Sequence, residues 1–218
     1  REAFVTSSTL SHVLDGELLT ITGGSSDSRL KLLVPRSWEH VLETGGGAAV
    51  WASDLKVGNF VVNTTSEDVI CSNLDVDYLT VRTTSGDIVL SDISAASALE
   101  AGTSSGDVVL SSVKGADVVI STTSGGVTGT GGASNWNVST SSGDISLFPF
   151  QSDNLSLDTA SGQIHLESAR NTNTISMTAT SGDVELLAPG QNFYLRYDTS
   201  SGSLDQGGIS LRARSGGE

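Results

Sequence analysis

The 218-residue chain is poor in several residue types that would mark particular classes of protein. Its one cysteine, Cys71, cannot form an internal disulfide, so the chain is not a disulfide-stapled scaffold. It has 11 basic residues against 25 acidic ones and a net charge of −14. This balance excludes nucleic acid and anionic membrane as partners, because both need a basic face. No apolar run approaches the length that spans a bilayer, and we expect no membrane insertion.

The sequence also lacks the patterns of common catalytic sites. There is no phosphate-binding loop, no Cys/His metal-ligand set and no spacing of a catalytic triad. The three histidines, His12, His40 and His165, fall on unrelated segments. We therefore predict a protein that is not an enzyme and has no cofactor and no metal. A polysaccharide-active enzyme is the less favoured alternative, since its site would need converging acids.

Glycine is abundant, with 25 residues, and much of it lies in a repeated motif. The motif is clearest at Thr83–Leu90, TTSGDIVL, and near-copies follow down to Thr199, with weaker ones upstream at Thr44 and Thr64. Successive turn positions are 18 to 20 residues apart. A period near 20 that holds this long is typical of repeat architectures, in which each unit buries its apolar face only against its neighbours.

Apolar and polar residues alternate on both sides of each Ser-Gly turn, which is the pattern of β-strands. We predict an all-β fold, a parallel β-helix or β-solenoid of about eight or nine coils. Residues 37–218 would form the coils, and residues 1–36 would add capping strands to the same domain. The weak copy at Thr44 places Ala49 and Trp51 among the inward residues. Variable return segments, such as residues 91–98, would join the strands.

Each residue type in the motif has a predicted place at the corner. The Thr that begins the motif has inward parity, so its hydroxyl should bond the corner backbone. The glycine should supply a positive φ. Glu67 replaces this glycine in one copy and predicts a strained or differently shaped corner there. Cys71 stands where other copies have leucine and should be a buried apolar residue.

An aspartate follows the corner glycine or Glu67 in several copies, and Asp68, Asp87 and Asp107 occupy three consecutive coils. Stacked carboxylates could share a Ca²⁺ ion. The favoured interpretation is that each Asp accepts hydrogen bonds from turn amides. The nonapeptide pattern of calcium-binding β-rolls is absent.

Two sets of outward residues are candidates for interaction. Ile70, Val89 and Val109 would stack as an exposed apolar strip. Either a return segment covers this strip or it is a surface that docks a partner. Three Asn-x-Ser/Thr sequons are possible N-glycosylation sites; they begin at Asn63, Asn137 and Asn154.

The series of Thr-Ser-Gly-Asp-type corners, preceded by Leu-Leu-Val-Pro at residues 32–35, resembles a family of β-helix domains labelled as adhesins. The resemblance covers about residues 30–217. It implies a right-handed parallel β-helix on secreted or surface-attached proteins, and it implies no catalytic residues.

These observations favour a non-catalytic extracellular or cell-surface module that is adhesive or scaffolding, with a protein or glycan partner. The alternative is a subunit of an extracellular fibre, joined end to end through the solenoid. The half-unit at Ile209, Leu211 and Ala213 has no capping signal, so it could pair with another chain.

Overall fold

A computed structural model describes residues 3–5, 10–15, 18–23, 30–32, 40–43, 49–168, 172–187 and 194–205. Within these ranges every regular element is a β-strand. The strands in chain order are β1 (Ala3–Val5), β2 (Leu10–Asp15), β3 (Leu18–Gly23), β4 (Leu30–Leu32), β5 (His40–Glu43), β6 (Val50–Asn63), β7 (Val69–Arg82), β8 (Ile88–Gly102), β9 (Val108–Ser121), β10 (Val127–Thr140), β11 (Ile145–Thr159), β12 (Ile164–Ser168), β13 (Thr174–Ala179), β14 (Val184–Leu187), β15 (Tyr194–Thr199) and β16 (Leu204–Asp205).

Strands β5 to β11 stack in parallel, and each one pairs with the next. Equivalent residues of successive motifs stand opposite one another; Val69, Ile88 and Val108 are one such series. Beyond β11 the stack continues in two branches, β12–β14–β16 and β13–β15. The chain is therefore a parallel β-solenoid of about eight turns that repeat about every 19 residues, and the predicted fold class is confirmed.

The N-terminal strands pair differently from the coils. Strand β1 is antiparallel to β4, and β2 is antiparallel to β3. Residues 1–36 thus contain four strands among their described residues, while the division into capping strands and coils stays a prediction.

The core consists of inward columns that run from coil to coil. Strand β8 shows the pattern, since Ile88, Leu90, Ile93 and Leu99 are all buried and half-buried or exposed residues lie between them. Cys71 lies in the same column as Leu90 and is fully buried. Burial raises the pKa of its thiol to about 12, because the charged form is disfavoured away from water. The prediction of a buried apolar cysteine is confirmed.

The segments predicted as variable returns are part of the strands. Strand β8 runs unbroken from Ile88 to Gly102 and bends at Asp92, which has a φ of 53°. The equivalent bends in neighbouring coils fall at Asp54, Asn73 and Ser112. Asn and Asp tolerate this left-handed conformation better than other non-glycine residues. The return at residues 91–98 therefore continues the hydrogen-bonded coil, with a register shift between Ala95 and Ala98.

The predicted inward position of Trp51 is wrong. In the structure Trp51 pairs with Ile70, while Ala52 pairs with Cys71. The first two coils are offset by 19 residues, whereas the alignment on Thr44 assumed 20. A shift of one residue turns a strand's side chains to the opposite face. Trp51 is consequently 74% exposed, and the inward position given to Ala49 belongs to the buried Val50.

The corner threonines lie inside and join successive coils, as predicted. Thr103 is buried, and its Oγ1 donates to the carbonyl of Gly86 in the preceding coil at 3.0 Å. The same Oγ1 accepts from the amide of Gly106 at 3.2 Å. The bond to the preceding corner recurs along the stack; it is made by Thr83, Thr122, Thr140 and Thr159.

The corner glycines serve close approach rather than a positive φ, so that prediction is wrong. Among the described residues, no corner glycine has a φ in the left-handed region, but a Cβ on Gly106 would overlap the carbonyl of Gly86. The coils meet backbone to backbone here, which leaves no room for a side chain. Glu67 also lacks a positive φ, and its carbonyl accepts from Thr83 Oγ1 at 3.2 Å, as glycine carbonyls do elsewhere. The strain predicted at Glu67 is not found.

Candidate docking surface

The corner aspartates bind the neighbouring coil. Asp68 Oδ1 accepts from the amide of Asp87 at 2.9 Å, and Asp87 Oδ1 accepts from the amide of Asp107 at 2.8 Å. Asp107 in turn accepts from the amide of Gly126 at 2.8 Å. The favoured interpretation, that each aspartate accepts a hydrogen bond from a turn amide, is confirmed. The amide belongs to the next coil. These hydrogen bonds hold the register between coils.

The same bond continues further along the stack and affects one pKa. Asp183 Oδ1 accepts from both the amide and the hydroxyl of Ser203, each at 2.8 Å. These two hydrogen bonds favour the charged form and lower the pKa of the Asp183 carboxyl. Among the described residues, no group of three or more His, Cys, Asp or Glu side chains could hold a metal ion. The same residues contain no helix that could cross a bilayer.

An apolar strip runs across the coils next to this aspartate row. Trp51, Ile70, Val89 and Val109 stand opposite one another in β6 to β9. Trp51 is 74% exposed, Val109 is 40% exposed, and the other two are half-buried. Within residues 49–168 no return segment covers the strip, since the returns there are strands of the coil itself. We call these four residues the apolar strip; that they dock a partner stays a prediction.

Beyond β9 the same outward column becomes polar. It continues with Thr128, Ser146, His165 and Glu185. His165 Nδ1 lies 2.7 Å from Glu185 Oε2, and Phe148 packs edge-on against the imidazole at 6.0 Å. His165 thus lies on the outside of the stack and is half-buried. Among the described coils, the apolar strip is confined to β6, β7, β8 and β9.

A shallow groove lies over strand β10, where glycines replace larger side chains. It has a volume of about 810 Å³ and is lined by hydroxyl groups and by polar side chains such as Lys114 and Gln151, together with the apolar Ile93, Val113 and Ala133. Strand β10 has glycine at positions 129 and 131, where neighbouring coils carry Leu110 and Val113. A hydroxyl- and amide-lined groove is suited to polar ligands such as glycans, although open grooves retain small ligands poorly.

The predicted glycosylation sites occupy different environments. Asn137 and Asn154 are exposed, and Asn63 is half-buried at the end of β6. The Asn154 side chain donates to Asn135 Oδ1 at 2.9 Å, and Asn135 donates to Asp117 Oδ1 at 2.6 Å. This polar ladder was not predicted, because outward amides on separate coils show no short-range pattern in a sequence.

Trp51 is the strip residue that the sequence reasoning missed. Its motif copy diverges at the corner, so counting from Thr44 put it on the wrong face. Aligning Val50 and Ala52 with Val69 and Cys71 would have found it, because those inward pairs keep the period-2 pattern.

Comparison with protein families gives one result. The model of the Toastrack DUF4097 family matches residues 15–128 and, in a second match, residues 95–214. A search of curated proteins and a search of solved structures each found no match. The two family matches overlap within the coils and together extend over most of the chain, as expected for near-identical repeats. The sequence match and the solenoid agree, and the chain belongs to the Toastrack DUF4097 family.

Proposed function

We propose that the chain is a non-catalytic scaffolding or adhesive module that works outside the cell or at a cell surface and holds a partner on its apolar strip. The observation that carries the proposal is the strip itself. Four apolar side chains stand in register on the outside of a stack whose coils are bonded to each other at every corner. An exposed apolar patch in a fixed frame is typical of an interaction surface.

The polar residues near the strip already have structural roles. The carboxylates of Asp68, Asp87 and Asp107 are the acids that a hydrolase would need, and each one binds an amide of the next coil. Membership in a β-solenoid family also fits a scaffold. The two exposed sequons, at Asn137 and Asn154, fit the proposed location.

A bead assay tests the adhesive role. Beads coated with the intact chain are counted on cells of the source organism, against beads coated with albumin. A strip variant carries Ile70→Thr, Val89→Thr and Val109→Thr, which keep β-branched residues in the strands. We expect adhesion of the wild type and a drop of about tenfold for the strip variant.

The matched control is Val119→Thr, which alters an apolar residue of similar exposure, 42%, in another column. We expect it to adhere like the wild type. Wild-type adhesion no better than albumin would contradict the proposal, as would release of reducing ends from a polysaccharide. A double variant, Lys114→Ser/Gln151→Ser, alters the groove instead. If it loses adhesion while the strip variant keeps it, the binding site is the groove and the ligand is a glycan.

The fibre hypothesis stays a prediction. It rests on the half-unit at Ile209, Leu211 and Ala213, which lies outside the described residues. Negative-stain electron microscopy distinguishes the two functions, since a scaffold gives isolated short rods and a fibre subunit gives filaments.

A further inference from the structure

A row of corner carboxylates flanks the apolar strip on one side, and two further carboxylates lie on its other side. Asp68, Asp87 and Asp107 each precede a strip residue by two positions, so they share its outward side. On the other side, beyond a row of serines, come the exposed Asp54 and Asp92. We propose that the strip binds an amphipathic helix that lies along the solenoid axis and carries Lys or Arg on both sides of its apolar face. This inference rests on the proposed function and names its partner.

The direction of the partner follows from the arrangement of the strip. Within one coil, Val89 lies between Asp87 and Ser91, so a partner parallel to the strand would meet one apolar residue. Along the axis, an apolar residue recurs once per coil, about every 4.8 Å. A helix advances about 5.4 Å per turn, so over three coil intervals the two repeats diverge by only about 2 Å. One apolar side chain per turn can thus meet each coil.

A partner that adds a strand does not fit this surface. Strand addition needs free amide and carbonyl groups at a sheet edge. Strands β7, β8 and β9 are each paired on both sides along their length. Recognition at the strip must therefore use side chains, and a helix presents side chains alone.

The charge of the surface selects a basic partner. Between residues 49 and 128 there are ten acidic and three basic residues. Two of the basic ones are in ion pairs, Lys56 with Asp75 and Arg82 with Glu100. A second copy of the chain would bring carboxylate rows against each other. Each corner carboxylate uses Oδ1 for an amide, and its other oxygen can accept from a cation.

The experiment measures binding of three synthetic peptides of about 18 residues to the intact chain by fluorescence anisotropy. The first has a leucine stripe flanked by lysines, the second has the same stripe flanked by glutamates, and the third keeps the lysines but replaces leucine by glutamine. We expect the first to bind at least about tenfold more tightly than either other peptide. Its affinity should fall as NaCl rises from about 50 to about 300 mM.

Variants of the chain locate the binding. The strip variant should lose about tenfold in affinity for the lysine–leucine peptide, and Val119→Thr should not change it. A second variant carries Asp68→Asn, Asp87→Asn and Asp107→Asn, which keep the oxygen that accepts the amide. It should fold like the wild type and show a flatter dependence on salt.

Three outcomes would overturn the inference: no measurable binding of the lysine–leucine peptide, equal binding of the glutamate peptide, or undiminished binding to the strip variant. Sedimentation that shows wild-type dimers, dissociated in the strip variant, would assign the strip to a second copy and would also overturn it. If the beads adhere through the strip while no helix binds, the scaffold role stands and the helical partner is rejected. If adhesion fails as well, both are rejected.

Discussion

Threonine, glycine and aspartate each contribute differently to the contact between one coil and the next. The threonine hydroxyl bonds the carbonyl of the preceding corner, and the aspartate carboxylate bonds the amide of the following one. The corner glycine bonds the corner threonines through its own amide and carbonyl, and its lack of a side chain allows the two backbones to approach. Each of these three residue types therefore has its own role, which depends on its position in the corner.

Gly106→Ala should be severely destabilising. Its new methyl group would overlap the carbonyl of Gly86, and backbone cannot move aside as a flexible side chain could. We expect a loss of more than about 3 kcal/mol in unfolding free energy, measured by chemical denaturation. The control is Gly58→Ala, whose Cβ would have its nearest contact 3.8 Å away, at Asp77 Oδ2. Similar stability of the two variants would contradict the close-approach account.

Thr103→Val tests the hydroxyl without changing side-chain shape. It leaves the Gly86 carbonyl and the Gly106 amide without their partner inside the corner. We expect a loss of about 2–4 kcal/mol in unfolding free energy. The control is Ser104→Ala, at the exposed neighbouring residue, which should change the unfolding free energy little. A Thr103→Val protein as stable as the wild type would show that the internal ladder is dispensable.

Asp183 should make stability depend on pH in the acid range. Its pKa is lower in the folded protein than the ordinary value of 3.8. Its contribution is therefore fully present above that value and is lost as the pH falls through the lowered pKa. Asp183→Asn keeps an acceptor for Ser203, so its melting temperature should fall less than that of the wild type between about pH 5 and pH 2.5. Asp77→Asn, away from the corners, should behave like the wild type, and identical acid sensitivity in Asp183→Asn would refute the assignment.

The sequence could predict the corner residues only in part. Inward threonine followed from parity, because alternation shows in any strand. The role of glycine was misread, since a sequence does not show how near another coil's carbonyl lies. The aspartate was assigned correctly to an amide, but which coil supplies that amide depends on the register between coils.

At the scale of a strand, β10 shows how one coil departs from its neighbours without breaking the stack. Gly129 and Gly131 leave out two core side chains, and the strand shifts register between them. Trp136 enters the core of the same coil and is only 2% exposed. Its ring packs edge-on against Phe150 at 4.5 Å. The coil thus keeps one large core residue, whereas a Cβ on Gly129 or Gly131 would overlap the preceding coil.

Trp136→Ala should open a cavity in that coil. Because Gly129 and Gly131 offer no side chains to fill it, we expect a loss of about 3–5 kcal/mol in unfolding free energy. Part of this loss is offset, since the Trp136 Nε1 has no hydrogen-bond partner among the described residues. The control is Trp51→Ala, at an exposed position. Equal stability of Trp136→Ala and Trp51→Ala would contradict this packing.

Strand existence was predictable and strand register was less so. The long periodic runs in β7 to β9 gave the correct inward columns, because several motif copies support each other. The predicted register was wrong in the first coil, at Trp51, because the divergent corner there made the number of residues between the two motif copies ambiguous. The bends at Asp54, Asn73 and Asp92 share an Asp or Asn, but the next bend falls at Ser112, so residue type alone does not mark the position.

At the scale of the whole molecule, the stack turns a short motif into surfaces that run across coils. The three coils of Ile70, Val89 and Val109 each contribute one strip residue and one corner carboxylate, so the apolar strip and the row of corner carboxylates lie side by side. No single motif copy contains this surface. The sequence could indicate Ile70, Val89 and Val109 as an outward set. Trp51 joins this set through the pairing of β6 with β7, which places it opposite Ile70.

Photo-crosslinking tests most directly whether the partner binds at the apolar strip. A benzophenone amino acid replaces Ile70 in one protein and Val119 in another, and each intact chain is irradiated on cells of the source organism. We predict a crosslinked adduct of higher mass from position 70 and none from position 119. An adduct from 119 in equal yield, or none from 70, would contradict the account.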